Sequence, residues 1–572
     1  MHLWNRLLHF SALVVFALPI VVPSTIAADR TEGHAFATRS VSYAKHGMVA
    51  ASHPLAVEAG LRILRQGGNA VDAAIGVNAA LAFLEPVACG LGGDLFVLGW
   101  DVGERKYYGL NASGIAPAAL DRTMIPATDA GTIPLHSPYS WTVPGVVDGW
   151  FALHERYGRL PMQKILAPAI ALAREGAPVP QVIAAAWQRS TRIFADKPGF
   201  AEVFMPEGRA PREGEIFRNP HLARTLEGLA SSGREAFYEG EIAKEIVAYS
   251  KSVNGFLSME DLASQSSEWV EPMGTTYRGY EVLELPPNGQ GLAALQMLNI
   301  LEAYDLRALG RNSVDFWHLL IEAKKLAFAD RARFYADPRM SEIPLARLAS
   351  KDYARQRRAL IDMQRAARTV EPGNPGLERG DTTYLAVADS EGRLVSLIQS
   401  NYTGFGSGYV IPSLGFGLQN RGALFSLQEG HPNELKPGKR PFHTIIPAFL
   451  TREGKPWCAF GVMGGATQPQ AHAQVVINLV DFDMNIQEAG DAPRFVHSGS
   501  SQPTGTIMND GGAVHFESGV PMEVLRDLQR RGHRLESRVG IFGGYQIVCR
   551  DPSTGVLSGA TESRKDGLAL GY

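Results

Sequence analysis

The chain has 572 residues, enough for several domains or for one large domain of helices and sheets. Its composition, 45% hydrophobic and 20% charged, is that of a globular protein and excludes intrinsic disorder. A formal net charge of −3 lacks the basic surplus that nucleic-acid binding requires, so we expect no nucleic-acid partner.

Residues 1–27 are predicted to form a cleaved signal peptide. Arg6 precedes an apolar run, 11–23, and small residues follow the run up to Ala28. The run is shorter than the ~20 residues that cross a bilayer, which favours an export signal over a membrane anchor. We therefore expect a periplasmic or extracellular protein without a stable membrane anchor.

Apolar periodicity predicts a mainly helical first part and a strand-rich last third. Residues 29–48 are expected to be an exposed leader, and the polar loop 371–376 is expected to mark the boundary. The predicted helices are 54–66, 70–84, 292–304, 314–336, 468–481 and 520–531, with mostly helical stretches at 149–196 and 219–253. The predicted strands are 95–98, 383–389, 393–400, 444–450 and 456–463.

Several widespread catalytic motifs are absent from the sequence. There is no CxxC, HExxH, GxSxG or GxxxxGK[ST], so zinc proteases, α/β-hydrolases and P-loop enzymes lose their usual signatures. Cys89, Cys458 and Cys549 are far apart and cannot all pair. We expect them to be buried small side chains, although an exported protein permits a disulfide.

The segment around 380–400 carries the sharpest local prediction. Two apolar runs flank Ser390-Glu391-Gly392, which predicts a three-residue hairpin loop with Gly392 in the left-handed conformation. In that register Ser400 lies opposite Thr382, with Cβ atoms about 5 Å apart. Paired hydroxyl residues are common in hairpins and do not by themselves indicate catalysis.

Motifs in a fixed order along the chain carry a resemblance to one enzyme family. They are Ser52-His53-Pro54, Gly67-Gly68-Asn69, Gly90-Leu91-Gly92-Gly93, Pro286-Pro287-Asn288-Gly289, Ala327-Phe328-Ala329-Asp330-Arg331, Asp381-Thr382-Thr383, Lys439-Arg440-Pro441, Gly464-Gly465 and Asp491-Ala492-Pro493-Arg494. From about Gly47 to Tyr572 the chain resembles the γ-glutamyltransferase (glutathione hydrolase) proenzymes, which are N-terminal-nucleophile hydrolases. The resemblance implies an α+β fold, a four-layer αββα sandwich, and no metal or cofactor.

The resemblance also implies that the precursor cuts itself between Asp381 and Thr382. The products are then a large subunit, 28–381, and a small catalytic subunit, 382–572, which remain partners. The new N-terminal Thr382 has a hydroxyl nucleophile and an α-amine whose pKa, near ~7.7–8.0, suits a general base at neutral pH.

Further catalytic roles follow from the same resemblance. Ser400 matches the family's second hydroxyl residue, which contacts the nucleophile. Gly464 and Gly465 match the pair whose backbone N–H groups form the oxyanion hole, where a missing Cβ permits close approach. The expected substrate-binding residues are Asn401, Tyr402, Arg421, His443 and Thr444.

The sequence departs from the family where the substrate binds. Leu424 stands at the place of an acidic residue that holds the α-amine, and His443-Thr444 replaces a Ser-Ser pair. The arginine expected before Ala116-Pro117 is absent too. These changes resemble the branch of cephalosporin-acylase-like and oxamate-amidase-like relatives. Arg421 is a candidate to bind a substrate carboxylate, and a purely structural role for it is equally open.

The sequence leaves three functions open. The first is hydrolysis, and some transfer, of a γ-glutamyl or related acyl group from a glutathione-like small molecule through an acyl-enzyme on Thr382. The second is an acylase for a non-amino acyl group, such as glutaryl, a cephalosporin side chain or oxamyl. The third is an inactive binding scaffold. The intact Thr382, Ser400 and glycine pair argue against the third, and Leu424 favours the second over a strict glutathione enzyme.

Overall fold

The computed structural model describes residues 36–128, 131–371 and 381–572. The predicted signal peptide and most of the predicted boundary loop lie outside these residues. None of the helices in these ranges combines the length and the apolar character that a membrane crossing requires.

Two seven-stranded antiparallel sheets form the centre of the molecule. The first sheet contains, from edge to edge, Ser42–Ala44, Leu557–Thr561, Gly544–Arg550, Lys455–Met463, Ala448–Arg452, Tyr280–Glu284 and Met273–Tyr277. The second contains Leu568–Gly571, Gly47–Ala51, Asp381–Asp389, Leu394–Tyr402, Asp94–Asp101, Lys106–Ala112 and Glu268–Val270. Strands from both ends of the chain therefore alternate within one sheet.

Helices cover the outer face of each sheet. Those associated with the second sheet are Pro54–Arg65, Ala70–Leu84, Val146–Tyr157, Met162–Glu175, Gln181–Phe194, Phe200–Phe204, Pro220–Ser232, Arg234–Tyr238, Glu241–Ser252 and Met259–Ala263. Those associated with the first are Gly291–Leu301, Leu306–Leu309, Val314–Phe334, Leu345–Leu348, Lys351–Arg358, Gln468–Val480, Ile486–Asp491 and Met522–Arg530. A short strand pair, Phe495–Ser498 with Ala513–Phe516, lies beside the helices that cover the first sheet.

Alternation along the central strand explains the layers. Tyr384 and Ala386 point into the core between the two sheets, whereas Leu385 and Val387 pack with the outer helices. All four side chains are fully buried, since a strand in the middle of such a sandwich has a packed layer on each face. The predicted four-layer αββα fold is confirmed.

The first part of the chain is mainly helical as predicted, but one expectation about it is wrong. The segment 29–48 is not entirely an exposed leader, because Ser42–Ala44 is an edge strand and Gly47–Ala51 is a buried strand of the second sheet. Strands such as Lys106–Ala112 and Tyr280–Glu284 also lie in the part expected to be mainly helical. Ser42–Ala44 and Gly47–Ala51 pair with segments more than 300 residues away, which local periodicity does not reveal, whereas Lys106–Ala112 and Tyr280–Glu284 each pair with the strand just before them.

The expectation for the cysteines is also wrong for two of the three. Cys458 and Cys549 lie opposite each other on neighbouring strands and form a disulfide, with Cα atoms 4.0 Å apart. Cys89 is buried and free. The expectation of buried, unpaired cysteines missed this disulfide because two residues separated by 91 positions give no local sign that their strands are neighbours.

Candidate active site

The hairpin that carries Thr382 has the predicted register. Thr383 pairs with Gln399, and Gly392 adopts a left-handed φ of 96° in the loop. The pairing shifts by one residue near Asp381, and Thr382 lies at this irregularity. The Thr382 hydroxyl donates to Ser400 Oγ at 3.4 Å. The predicted contact between the two side chains is confirmed.

Ser400 also holds the backbone next to the nucleophile. Its Oγ accepts the Tyr402 N–H at 2.8 Å, and the serine is fully buried. Tyr402 has a φ of 80°, a conformation that costs a non-glycine residue on the order of 1–3 kcal/mol. The Ser400 hydroxyl therefore links the nucleophile to a strained turn.

Gln468 is a neighbour of Thr382 that the sequence did not reveal. Its Nε2 donates to Thr382 Oγ1 at 3.4 Å, while its Oε1 accepts the Ile446 N–H at 3.0 Å. The second bond fixes which end of the amide faces Thr382. A glutamine in the first turn of Gln468–Val480 fits no catalytic pattern, so only the fold brings it to this position.

The glycine pair lies between the strand Lys455–Met463 and that helix. Gly464 and Gly465 have φ values of 120° and 57°, a region that favours glycine. A Cβ on Gly464 would approach Gly543 Cα to 3.2 Å, so a side chain there would crowd the backbone. Gly464 lines the same cavity as Thr382, and the role of the pair as an oxyanion hole stays a prediction.

Thr382 opens onto a cavity of about 430 Å³. Much of its wall comes from Phe328, from Gly464, Ala466, Thr467 and Gln470, and from residues 496–500 with Gln502. Four cations line it: Arg189, Lys324, Arg538 and Lys565. Among the described residues that line it there is no aspartate and no glutamate. The cavity therefore presents positive charge to any molecule that reaches Thr382.

Arg421 is buried beside the cavity rather than on its described wall. Its Nη1 donates to Thr444 Oγ1 at 2.6 Å, and its guanidinium lies 4.7 Å from the centre of the Tyr402 ring. Burial lowers the pKa of Arg421 to about 10, although the negative charge of Asp94 acts in the opposite direction. Its Nε and Nη2 atoms have no hydrogen-bond partner among the described residues.

His443 belongs to the same buried cluster and is neutral. Its Nδ1 accepts the Ile445 N–H at 3.3 Å, so Nε2 carries the proton and donates to Asp94 Oδ2 at 3.1 Å. Burial, with the charge of Arg421, lowers its pKa to about 3. The backbone oxygen of Thr444 accepts from Gln290, which also donates to the Gly465 oxygen, so this cluster is connected to the glycine turn.

The structure does not bring Asn401 to the cavity. Strand alternation turns its side chain away from Ser400 and towards Gly90 and Gly93 on the other face of the sheet. Leu424 is 2% exposed and packs in an apolar cluster that includes Tyr402. The substrate roles predicted for Tyr402, Arg421, His443 and Thr444 stay predictions, since none of these residues is on the described cavity wall.

Comparisons with known proteins agree with this geometry. The model of the gamma-glutamyltranspeptidase family matches residues 56–572. The chain is 37% identical to the glutathione hydrolase-like YwrD proenzyme of Bacillus subtilis, over 92% of this chain and 98% of that protein. It is 34% identical to the acylase ACY 1 proenzyme of a Pseudomonas species, over 92% and 93%. A crystal structure of cephalosporin acylase from Bacillus halodurans superposes with a TM-score of 0.87 at 44% identity, covering 96% of this chain and 99% of that one.

Proposed function

The chain belongs to the γ-glutamyltranspeptidase family of amidohydrolases, and from that premise we propose that it cuts itself before Thr382 and hydrolyses amides of an acyl group that lacks an α-amine. The observation that carries the substrate proposal is the absence of any carboxylate among the described residues of the cavity wall. A substrate ammonium would have no charged partner there, and an unpaired buried charge costs several kcal/mol.

Self-cleavage begins with attack of Thr382 Oγ1 on the Asp381 carbonyl carbon. The C–N bond breaks, the hydroxyl proton passes to the departing nitrogen, and an ester joins the Asp381 carbonyl to the Thr382 oxygen. Water then hydrolyses the ester and frees both chain ends. The contacts from Ser400 and Gln468 support this step because they hold the hydroxyl in a buried, defined position.

In the processed enzyme the α-amine of Thr382 takes up the hydroxyl proton while the oxygen attacks the substrate amide. The N–H groups of Gly464 and Gly465 stabilise the tetrahedral oxyanion. The amine of the substrate leaves with the proton, and an acyl group remains on Thr382 as an ester. Water releases the acid; a second amine in place of water would give transfer, and we expect hydrolysis to dominate.

The acyl group is proposed to be of the glutaryl type. A γ-glutamyl group carries an ammonium that needs an acidic partner, and Leu424 supplies none at the matching place. A glutaryl group has the same length and a terminal carboxylate but no ammonium. The similarity to proteins named acylase supports this choice, and so does the positive charge of the cavity.

Export is part of the proposal. The pattern of residues 1–27 supports it, and the disulfide between Cys458 and Cys549 suits an oxidising compartment. Fractionation of cells that express the full chain tests it. The mature protein should leave the cytoplasm and begin close to Ala28, and a protein retained in the cytoplasm with its first residues intact would contradict export.

Thr382→Ala tests self-cleavage. The wild type should give two chains of about 38 and 21 kDa, given 61.9 kDa over 572 residues. The smaller chain should begin Thr-Thr-Tyr-Leu, and Thr382→Ala should leave one uncut chain. Thr383→Ala is the matched control: it removes the neighbouring buried hydroxyl, which bonds to Glu85, and should still be cut. Cutting that survives Thr382→Ala would mean that a protease acts instead.

The substrate proposal is tested with glutaryl and γ-glutamyl 4-nitroanilides. We expect kcat/KM for glutaryl to equal or exceed that for γ-glutamyl. Leu424→Asp should shift preference towards γ-glutamyl by about 1–3 kcal/mol, the scale of one charged hydrogen bond. Leu424→Asn controls for the packing cost of a polar group at this buried position. A strong wild-type preference for γ-glutamyl, unchanged by Leu424→Asp, would overturn the proposal.

A further inference from the structure

Lys324 is the most deeply buried of the four cations on the cavity wall. It lies within the helix Val314–Phe334, and it is 1% exposed. Phe328, one helical turn further along, lines the same cavity, and Lys324 Nζ lies 3.9 Å from the centre of its ring. The helix therefore presents an ammonium and an aromatic ring side by side to the space that holds Thr382.

The hydrogen-bond partners of Lys324 are all uncharged. Its Nζ donates to His497 Nδ1 at 3.0 Å, to the His497 backbone oxygen at 2.9 Å and to Ser500 Oγ at 2.5 Å. Burial and the nearby lysines keep His497 neutral by lowering its pKa. No carboxylate of the described residues lies within 4 Å of Nζ, whereas the adjacent Lys325 pairs with Glu322 at 2.8 Å.

The surroundings make this charge costly as the structure stands. Burial and the charges of Arg331 and Lys325 lower the pKa of Lys324 well below its ordinary value. Arg331 is itself buried, and its described partners, such as Gln290 at 2.6 Å, are neutral. A buried cation without a countercharge is destabilising, and an anion in the cavity would relieve that cost.

We propose that Lys324 binds a carboxylate of the substrate and so makes the enzyme selective for anionic amides, an inference that rests on the proposed function. A carboxylate oxygen in place of Ser500 Oγ would give the ammonium a charged acceptor while both bonds to His497 remain. Arg421, the cation favoured by the sequence, is directed at Thr444 and Tyr402 and is not on the described cavity wall. Of the buried cations in the described part of the chain, Lys324 is therefore the one that lines the cavity.

Three amides separate the two places where a substrate can carry its carboxylate. Glutaryl 4-nitroanilide has the carboxylate on the acyl side. The 4-aminobenzoate amide of glutaric monoamide has it on the leaving-group side. The 4-nitroanilide of glutaric monoamide has none. For the wild type, kcat/KM on a carboxylate-bearing amide should exceed that on the neutral one by about 10- to 100-fold.

Lys324→Met should abolish this preference, mainly through KM, because the contact exists before and during the reaction. Lys324→Arg should retain part of it, and Lys251→Met, which neutralises an exposed lysine on Glu241–Ser252, should leave it intact. Correct processing into two chains checks that each variant folds. If Lys324→Met lowers kcat/KM only for the amide with the acyl-side carboxylate, or only for the amide with the leaving-group carboxylate, that result identifies which carboxylate Lys324 binds. An equal decrease of kcat/KM on all three amides, or no decrease on any of them, overturns the inference.

A binding measurement keeps this test independent of the proposed reaction. Glutarate should raise the thermal unfolding midpoint of the processed wild type and not that of Lys324→Met. If the wild type hydrolyses none of the amides but glutarate still stabilises it through Lys324, the proposed function fails and the anion site stands. If glutarate stabilises both proteins equally, or neither, the anion site fails.

Discussion

Removal of the Ser400 hydroxyl separates its catalytic from its structural contribution. In the wild type the Tyr402 N–H donates to the Ser400 hydroxyl at 2.8 Å. Ser400→Ala removes this acceptor from the protein interior. An unsatisfied buried donor costs about 1–3 kcal/mol of the free energy of unfolding. The contact with Thr382 adds little to stability, because 3.4 Å is long for a hydrogen bond between hydroxyls. It should instead appear in the rates of self-cleavage and hydrolysis.

Ser396→Ala is the matched control, since it makes the same change on the same strand. Ser396 is equally buried, and its hydroxyl accepts the Ala448 N–H at 3.1 Å and contacts the Tyr384 hydroxyl at 2.8 Å. Both variants should lower the urea unfolding midpoint in the uncut Thr382→Ala background, where processing does not complicate the comparison. Only Ser400→Ala should slow the appearance of the two chains and lower kcat. If it processes and turns over like Ser396→Ala, the role of Ser400 is structural alone.

Three shorter predictions concern other parts of the molecule. Gln468→Leu should slow processing and turnover about 2- to 10-fold, which is the rate effect expected for the loss of one weak neutral hydrogen bond to Thr382. Unchanged rates would show that Gln468 has no part in catalysis. Burial lowers the pKa of His472 from 6.5 to about 3, so the unfolded chain binds a proton there first as the pH falls. Between about pH 6.5 and 3 this group should lower the free energy of unfolding by up to ~1.4 kcal/mol per pH unit. The difference between the urea midpoints of wild type and His472→Gln should therefore be constant above that range and change within it. Reduction of the disulfide between Cys458 and Cys549, which closes 91 residues, should lower the free energy of unfolding by about 4–5 kcal/mol, whereas a midpoint unchanged by reductant would show that the bond does not form.

Local patterns predicted what depends on neighbouring residues. The register of the central hairpin followed from Gly392 and two apolar runs, and the helix Ala70–Leu84 has its predicted bounds. The family resemblance supplied the order of the layers. The sequence does not reveal strand pairs between distant segments, and Gly47–Ala51 was missed because its partner strands lie more than 300 residues away.

The same limit applies to the site. Thr382 and Ser400 are close in sequence, so their contact was predictable, whereas Gln468 reaches Thr382 and Lys324 reaches the cavity from two separate helices. Lys324 was inconspicuous because two adjacent lysines in a helix are usually solvated. Asn401 shows the reverse error: it is adjacent to Ser400 in sequence, and strand alternation sends its side chain to the opposite face.

The way the strands interleave has a consequence for how the molecule matures. In the second sheet, Asp381–Asp389 and Leu394–Tyr402 lie between Gly47–Ala51 and Asp94–Asp101, so residues from both sides of the proposed cut share one hydrogen-bonded ladder. Neither fragment can complete this sheet by itself. Folding must therefore precede the cut, and the two products cannot exchange with those of another molecule without unfolding. Mixed, differently tagged preparations of the processed enzyme should keep their original pairs.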